Sequence, residues 1–294
     1  MRRLKLAAAS LVLIAACSEA RAPDARALLW KVSDADNSIY LLGSFHALRR
    51  GDYPLPGAVG TAFVDAEALA FEVTPAEMES PELAEQIRQA ALLPKGQKLS
   101  KVLPARTWKR LQAYGERNGV KVENFEHLAP WFVSLNLTLA QMHRMGFDPM
   151  LGLDRHLMGK AAEFGKPTSG LETAGDQIRV LAGMPLATQY QFLEDFLDEA
   201  EDPKGSLDAL HASWRRGDAN AIETMMVREL AEKYADLYQR INVDRNQAWM
   251  PKLRAMLEAG GEDDTLVVVG ALHLLGKDGL VSQLKAKGYT VERL

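Results

Sequence analysis

Short runs of β-branched and aliphatic residues lie at the two ends of this chain, and helix-spaced apolar positions fill the stretch between them. Leu266 to Val269 is an uninterrupted apolar run set off by Gly260, Gly261, Glu262, Asp263 and Asp264. A run of that length between polar, turn-forming residues predicts a strand buried on both faces. Residues 28–32 and 38–42 predict two more strands, and the Asp- and Asn-rich stretch 33–37 between them makes a hairpin. Further strands are predicted over 69–73, 166–171 and 289–293. Helical periodicity covers about 56–65, 81–91, 105–118, 131–145, 153–164, 174–182, 186–200, 206–216, 219–257 and 279–287, with a break expected in the longest. Glycine and proline punctuate these helices at Pro94-Lys95-Gly96, Gly119, Gly146 with Pro149, Gly165 with Pro167, and Pro203-Lys204-Gly205. The fold class that follows is α/β of the α+β kind: a sheet built from N- and C-terminal strands, with a largely helical insertion between them. Neither end holds enough strands to stand alone, so residues 28–294 read as a single domain.

The first sixteen residues follow a different pattern. Arg2, Arg3 and Lys5 precede an alanine-rich apolar stretch, Leu6 to Ala16, too short for a permanent membrane helix. This is the order of a secretory signal. It ends Leu13-Ile14-Ala15-Ala16-Cys17, which resembles a bacterial lipobox. The expectation is a lipoprotein-type signal peptide over 1–16, lipidation of Cys17, and a tether over 17–27. The protein would then be exported and lipid-anchored at the bacterial cell envelope, facing the periplasm. The alternative is an ordinary signal peptide with a coincidental cysteine.

Charge and cysteine content narrow the chemistry. The chain has 35 Lys and Arg against 39 Asp and Glu; without residues 1–16 the balance becomes 32 against 39, a formal −7. That acidity argues against nucleic acid as a partner. Cys17 is the only cysteine, so the mature chain has no internal disulfide, no thiolate metal site and no spare cysteine nucleophile. The chain contains no His-Glu-x-x-His, no Gly-x-Ser-x-Gly and no Gly-x-Gly-x-x-Gly. Its nearest approach to a phosphate loop, Gly159 to Pro167, has the wrong spacing and ends in proline.

The chemistry-bearing pattern is a repeated one. Gly43-Ser44-Phe45-His46 and Gly270-Ala271-Leu272-His273 each follow an apolar strand. Ligands of α/β sheets collect at the carboxyl ends of strands, so paired strands would bring both histidines to one edge. The glycines are expected to let the backbone turn and to leave room beside each imidazole. A single such histidine is more often a hydrogen-bonded structural residue; two in one context favour function. Glu72 falls near the end of the 69–73 strand, where a buried carboxylate needs a partner or a cation. It would be merely solvated if that strand ended early. Arg245 lies in an apolar stripe with Leu237, Ile241, Trp249 and Leu253. A guanidinium there needs an anion or must snorkel to the rim. Asp154 is similarly placed beside Leu151, Met158 and Ala161, so Arg245 either pairs with it or faces a substrate oxyanion.

Taken in order, Leu42 to His46, Phe71-Glu72, Gly152-Leu153-Asp154, Gly170 to Thr173, Asp244-Arg245-Asn246 and Val269 to His273 resemble the TraB/GumN family, within a wider superfamily that includes the Tiki metalloproteases and erythromycin-esterase-like hydrolases. The resemblance implies site roles for His46, Glu72, Arg245 and His273, a hydrolase-like fold, and the metal dependence of Tiki relatives. Asp154 and Glu172 fall on matched motifs as supporting carboxylates. Two functions are therefore open. One is a metal-dependent hydrolase, possibly a peptidase, with His46, Glu72 and His273 on Zn, Mn or Co, Arg245 on the developing oxyanion, and a metal-free variant that uses a histidine base. The other is a non-catalytic binding protein that captures a peptide or small ligand in the same cleft.

Overall fold

The structure, a computed structural model, describes residues 26–202 and 204–294. The export segment, Cys17 and most of the tether lie outside the described residues. Six strands form one sheet: β1 (Leu29–Ser33), β2 (Ser38–Ser44), β3 (Ala68–Phe71), β4 (Thr168–Gly170), β5 (Thr265–Gly270) and β6 (Thr290–Arg293), in the order β4-β3-β5-β2-β1-β6. The predicted hairpin forms, with Leu29 opposite Leu42 and Ser33 opposite Ser38. In its turn, Asp34 accepts the backbone N–H groups of Asp36 and Asn37. Asn37 then donates to the Met256 carbonyl and the Ser38 N–H to Asp264, fastening the hairpin to the C-terminal unit.

The central strand is β5, from the other end of the chain. It pairs in parallel with β2 on one side and β3 on the other. Leu266, Val267, Val268 and Val269 are all buried, as an uninterrupted apolar run predicts for a strand covered on both faces. Each such side chain contributes about 1.5–3 kcal/mol by leaving water. Since β4 is also parallel to β3, the carboxyl ends of β2, β3, β4 and β5 lie along one edge of the sheet. The mixed sheet, closed by antiparallel β1 and β6, and the many helices around it give the expected α+β class.

Between β3 and β5 the chain is helical except for β4. Helix Pro130–Arg144 packs on helix Leu186–Glu201, and the two share a buried cluster that includes Leu111, Tyr114, Trp131, Leu137, Leu193 and Phe196. This cluster is separate from the sheet's own core around Leu41, Leu69, Val267 and Trp249. Most predicted helices are found within one or two residues of their expected limits. The 219–257 stretch is the exception in detail: it is several pieces joined by wider π-type turns, the last of which, Gln239–Val243, leads into helix Asp244–Leu257. Such turns redirect side chains and recur at functional sites. Strand β3 ends at Phe71, two residues sooner than expected, and Glu72 lies beyond it. Among the described residues no helix is long and apolar enough to cross a membrane.

Candidate active site

Each of the four parallel strands delivers one ionisable side chain to the common edge. Glu172 follows β4, Glu72 follows β3, His273 follows β5 and His46 follows β2. Past the ends of β3 and β4 the pairing continues, with the Glu172 N–H donating to the Glu72 carbonyl at 2.9 Å, so the two carboxylates stand side by side. Thr173 then caps helix Ala174–Ala182 through reciprocal hydrogen bonds with Asp176. One turn into that helix, Gln177 reaches back and donates to Glu72 at 3.0 Å and to Glu172 at 2.9 Å.

Arg245 closes this cluster from helix Asp244–Leu257. Its Nη2 donates to Glu72 Oε2 at 2.6 Å and also to Glu172; its Nε donates to both Glu172 oxygens at 3.0 and 3.1 Å. Its Nη1 donates to the Ile241 carbonyl at 3.2 Å and to His273 Nε2 at 3.0 Å. Trp249, one turn on, donates its indole N–H to Glu172 at 3.1 Å and lies under both the guanidinium and the His273 ring. The expected pairing of Arg245 with Asp154 is not found. Two glutamates converge on the arginine, and Asp154 instead accepts from Ser44 at 2.9 Å and from His46 Nδ1 at 3.2 Å. Every arm of the guanidinium is engaged internally, so none faces a substrate oxyanion in this arrangement.

Asn246 settles the state of His273. The Asn246 amide donates to the backbone carbonyls of His273 at 3.1 Å and Asp278 at 2.9 Å. Its oxygen is thereby left to accept, and it lies 2.8 Å from His273 Nδ1. His273 Nδ1 therefore carries the proton and Nε2 offers its lone pair to Arg245. Burial disfavours the charged ring; Glu72 favours it, while Arg245 and His46 oppose it, and the pKa falls to about 3. His46 stands in the opposite state. Burial works against protonation there too, but the hydrogen bond and charge of Asp154, with Glu72 behind, outweigh it and push the pKa up to about 9 against the pull of Arg245. The His46 side chain is 61% exposed, so loss of water opposes its charge only weakly and Asp154 sets the direction of the shift. For Glu72, burial alone would raise the pKa; His273, Arg245, His46 and the Gly270 N–H bring it down to about 2. Since His273 is neutral above about pH 3, Arg245 and His46 carry that effect at neutral pH.

The glycines meet one half of the expectation, room beside an imidazole, and not the other. Neither Gly43 nor Gly270 has a positive φ, so no unusual turn is involved. Gly270 clears space for the turn after β2, and Gly43 clears it for Leu28 as well as for the turn after β5. A Cβ on residue 270 would lie 3.0 Å from His46 Nε2 and 3.3 Å from Glu72 Oε1; a Cβ on residue 43 would lie 3.3 Å from Ala271. Gly152 has a related role: a Cβ there would collide with the His46 backbone carbonyl. Its absence lets helix Leu153–Phe164 begin against that turn and brings Asp154 to the imidazole.

These distances decide how the cluster stands toward a metal ion. His46 Nε2 and Glu72 Oε1 face one point beside Gly270, and the Glu72 oxygen also accepts the Gly270 N–H at 2.7 Å. His273 Nε2 is 4.0 Å from Glu72 Oε1, and its lone pair is taken by Arg245. A ligand bond is about 2.0–2.2 Å and needs a free lone pair. As arranged, His46, Glu72 and His273 do not fit a three-donor metal site, and Arg245 supplies the positive charge among the carboxylates. Among the described residues no other group of three His, Cys, Asp or Glu side chains is placed to hold an ion.

Reading the sequence brought His46, Glu72, Arg245, His273, Asp154 and Glu172 forward, and the structure brings all six to the same edge. It adds Asn246, Gln177, Ser44 and Trp249. Asn246 was within a quoted motif; its neighbour Arg245 drew the attention because a charge in an apolar stripe is conspicuous and an amide is not. On the outer side of His46 and Glu72 lies a cleft of about 410 Å³, walled by helices Pro81–Ala90, Pro130–Arg144, Leu153–Phe164 and Ala174–Ala182.

A sequence model of the TraB/PrgY/gumN family matches residues 28–293. Among similar proteins, YbaP of Escherichia coli K12 is 26% identical over 246 residues, covering 84% of this chain and 87% of that one. Metalloprotease TIKI2 of Danio rerio is 24% identical over 305 residues, covering 86% of this chain and 58% of that one. Metalloprotease TIKI1 of the same fish is 24% identical, covering 92% and 63%. No solved structure matches the chain.

Proposed function

The chain belongs to the TraB/PrgY/gumN family, and from that premise we propose that it is a hydrolase acting on peptides at the bacterial cell envelope. The names of its TIKI relatives support protease chemistry. The observation that carries the reading is the pair His46 Nε2 and Glu72 Oε1, both within about 3.3 Å of the space that Gly270 leaves free, on residues that line the cleft. Between about pH 2 and about pH 9 this pair is an imidazolium beside a carboxylate. Glu72 accepts the hydrogen bond of a water molecule and takes its proton as the oxygen adds to the amide carbon. His46 gives its Nε2 proton to the departing nitrogen as the C–N bond breaks. Asp154 holds the ring and stabilises its charge, as a carboxylate does behind an imidazole in acyl-transfer sites. Arg245 acts one step back, holding Glu72 and Glu172, and His273 holds Arg245.

A divalent ion is part of the chemistry that the relatives' names imply, and no step here passes through one, because the third donor is committed to Arg245. Lipidation of Cys17 is proposed as the anchor, on the ordered basic, apolar and lipobox-like segment. A single acyl chain holds a membrane only weakly, so more than one chain is required. Cys17→Ser is expected to move the protein to the soluble fraction, and unchanged membrane association would overturn the anchor.

The enzymatic reading is tested by incubating purified protein with a peptide library and following products by mass spectrometry, with the metal content of the same sample measured. Cleavage that is lost in His46→Ala and in Glu72→Ala, and no further reduced in the double variant, is expected of groups acting as a unit. Peptide retained by a folded protein without turnover would transfer the site to the non-catalytic binding reading.

A further inference from the structure

The cleft beside His46 and Glu72 is lined by a few polar residues among many apolar ones. Its polar lining residues are His46, Glu72, Asp154, Gln177 and Arg155. The rest of its lining is apolar and includes Met78, Leu83 and Ile87, Trp131 and Leu135 from helix Pro130–Arg144, and Ile178 from the helix that follows Glu172. The apolar surface runs outward along the same helix face, since Leu139 is one turn beyond Leu135 and both are exposed, 38% and 40%. Large side chains left on a concave wall next to polar groups mark a ligand site more strongly than scattered surface leucines do.

Four of the five polar residues are already committed. His46 is bonded to Asp154, Asp154 to Ser44 as well, Glu72 to Arg245 and the Gly270 N–H, and Gln177 to both glutamates. Arg155 alone makes no hydrogen bond or ion pair with any described residue. It is half-buried on the wall, next in sequence to the aspartate that holds His46. A half-buried guanidinium without an acceptor is a receptor for an anion, and carboxylate matches its planar fork. The volume sets the scale: about 410 Å³ has room for one large side chain with its main-chain atoms.

We propose that this cleft binds the C-terminal residue of a peptide, with a large apolar side chain against Trp131, Leu83 and Ile178 and the free carboxylate on Arg155. The position of the bond to be cut rests on the hydrolase reading above; the binding preference does not. If the reading holds, the bond facing His46 and Glu72 is the one that releases that last residue.

The experiment is isothermal titration of the full chain with N-acetyl-Ala-Leu as the free acid, its C-terminal amide, N-acetyl-Ala-Ala and decanoate, with products followed separately. The free acid of the leucine peptide is expected to bind roughly tenfold or more tighter than its amide, the loss of one charge-assisted pair, and about tenfold tighter than the alanine peptide. Arg155→Met should abolish the preference for acid over amide, and Arg155→Lys should keep part of it. Leu135→Asp, at an exposed position that the fold tolerates, should weaken the leucine peptide and spare the alanine one. Equal binding of acid and amide in the wild type overturns the role of Arg155. Equal binding of leucine and alanine overturns the apolar subsite. Decanoate bound more tightly than every peptide replaces the peptide with an acyl chain and overturns the proposal. Expected binding without release of leucine refutes the hydrolase and leaves this inference standing; cleavage without the preference does the reverse.

Discussion

His46 and His273 each stand three residues after a glycine, at the carboxyl end of adjacent parallel strands, and their surroundings drive them apart. His46 looks into the cleft, 61% of its side chain exposed, and Asp154 keeps it charged up to about pH 9. His273 is buried, 4% exposed, and stays neutral down to about pH 3, its proton fixed on Nδ1 by Asn246 and its lone pair on Arg245. One turn pattern thus yields a proton donor at the surface and a neutral acceptor behind it. The difference comes from what meets each ring: a carboxylate from helix Leu153–Phe164 in one case, an amide and a guanidinium from helix Asp244–Leu257 in the other. Pairs of titratable groups whose environments separate their pKa values are where acid and base roles are found.

The largest expected effect is at the residue that holds the inner half together. Arg245→Met removes the guanidinium from between two glutamates whose side chains are 13% and 8% exposed. Stability should fall by about 3–5 kcal/mol, the usual result of stripping one partner from a buried pair. Urea unfolding measures it. Adding Glu172→Gln should restore part of the loss by removing one of the stranded charges. No loss in the single variant would mean that Arg245 is a rim residue and that the inner half is not electrostatically closed.

Gly270→Ala attacks the outer half and reaches the inner one only through Glu72. The new methyl would sit 3.0 Å from His46 Nε2 and 3.3 Å from Glu72 Oε1, both side-chain ends that can give way. The fold should keep its melting temperature within a few degrees while turnover drops about a hundredfold, the effect of displacing a reacting group by an ångström or so. A variant of normal activity would show that these two atoms do not share a reaction centre.

Asn246→Ala frees the tautomer of His273. The His273 carbonyl loses its side-chain donor, the Asp278 carbonyl keeps only that of Gln283, and Nδ1 loses its acceptor. A loss of about 1–3 kcal/mol is expected for a buried group left without a partner. Nitrogen-15 NMR of the imidazole should show the proton no longer confined to Nδ1; an unchanged tautomer would mean that Arg245 alone sets it.

What the sequence made legible here follows from geometry. Strands pair along their whole length, so two apolar runs with the same trailing Gly-x-x-His are carried to the same edge once they are parallel neighbours, and Glu72 and Glu172 arrive by the same rule. Helical faces are less informative, because a stripe shows which side is buried and not what it meets. Arg245 was conspicuous in its stripe, but its partners come from β3 and β4, more than seventy residues earlier. Asp154 is equally conspicuous, and of the partners it could take it meets Ser44 and His46 rather than Arg245. The π-type turn at Gln239–Val243 also shifts the register immediately ahead of Arg245, which a regular period cannot anticipate. The apolar cleft was invisible for the same reason: its walls come from four helices, each of which contributes only a few of the lining residues.

Asp154→Asn is the mildest change and the one that tests the comparison most directly. It removes the charge that keeps His46 protonated and leaves the oxygen that accepts its hydrogen bond. The His46 pKa should drop from about 9 toward the ordinary 6.5, and the alkaline limb of the activity profile should move down with it. His273, held by Asn246 and Arg245, should not move. The two histidines also contribute to stability with opposite signs. The raised pKa of His46 stabilises the folded state fully below about pH 6.5 and is lost as pH rises through about 9, because there the folded form retains a proton that the unfolded form has released. The lowered pKa of His273 works the other way: stability is present above about pH 6.5 and is lost as pH falls toward about 3, where the unfolded chain takes up a proton that the folded one refuses. In the wild type, denaturant unfolding across pH should therefore show both slopes. In Asp154→Asn the decline on the alkaline side should flatten while the decline on the acid side remains. If both slopes flattened together, the two rings would be titrating as one coupled unit, and the division between an outer charged histidine and an inner neutral one would fail.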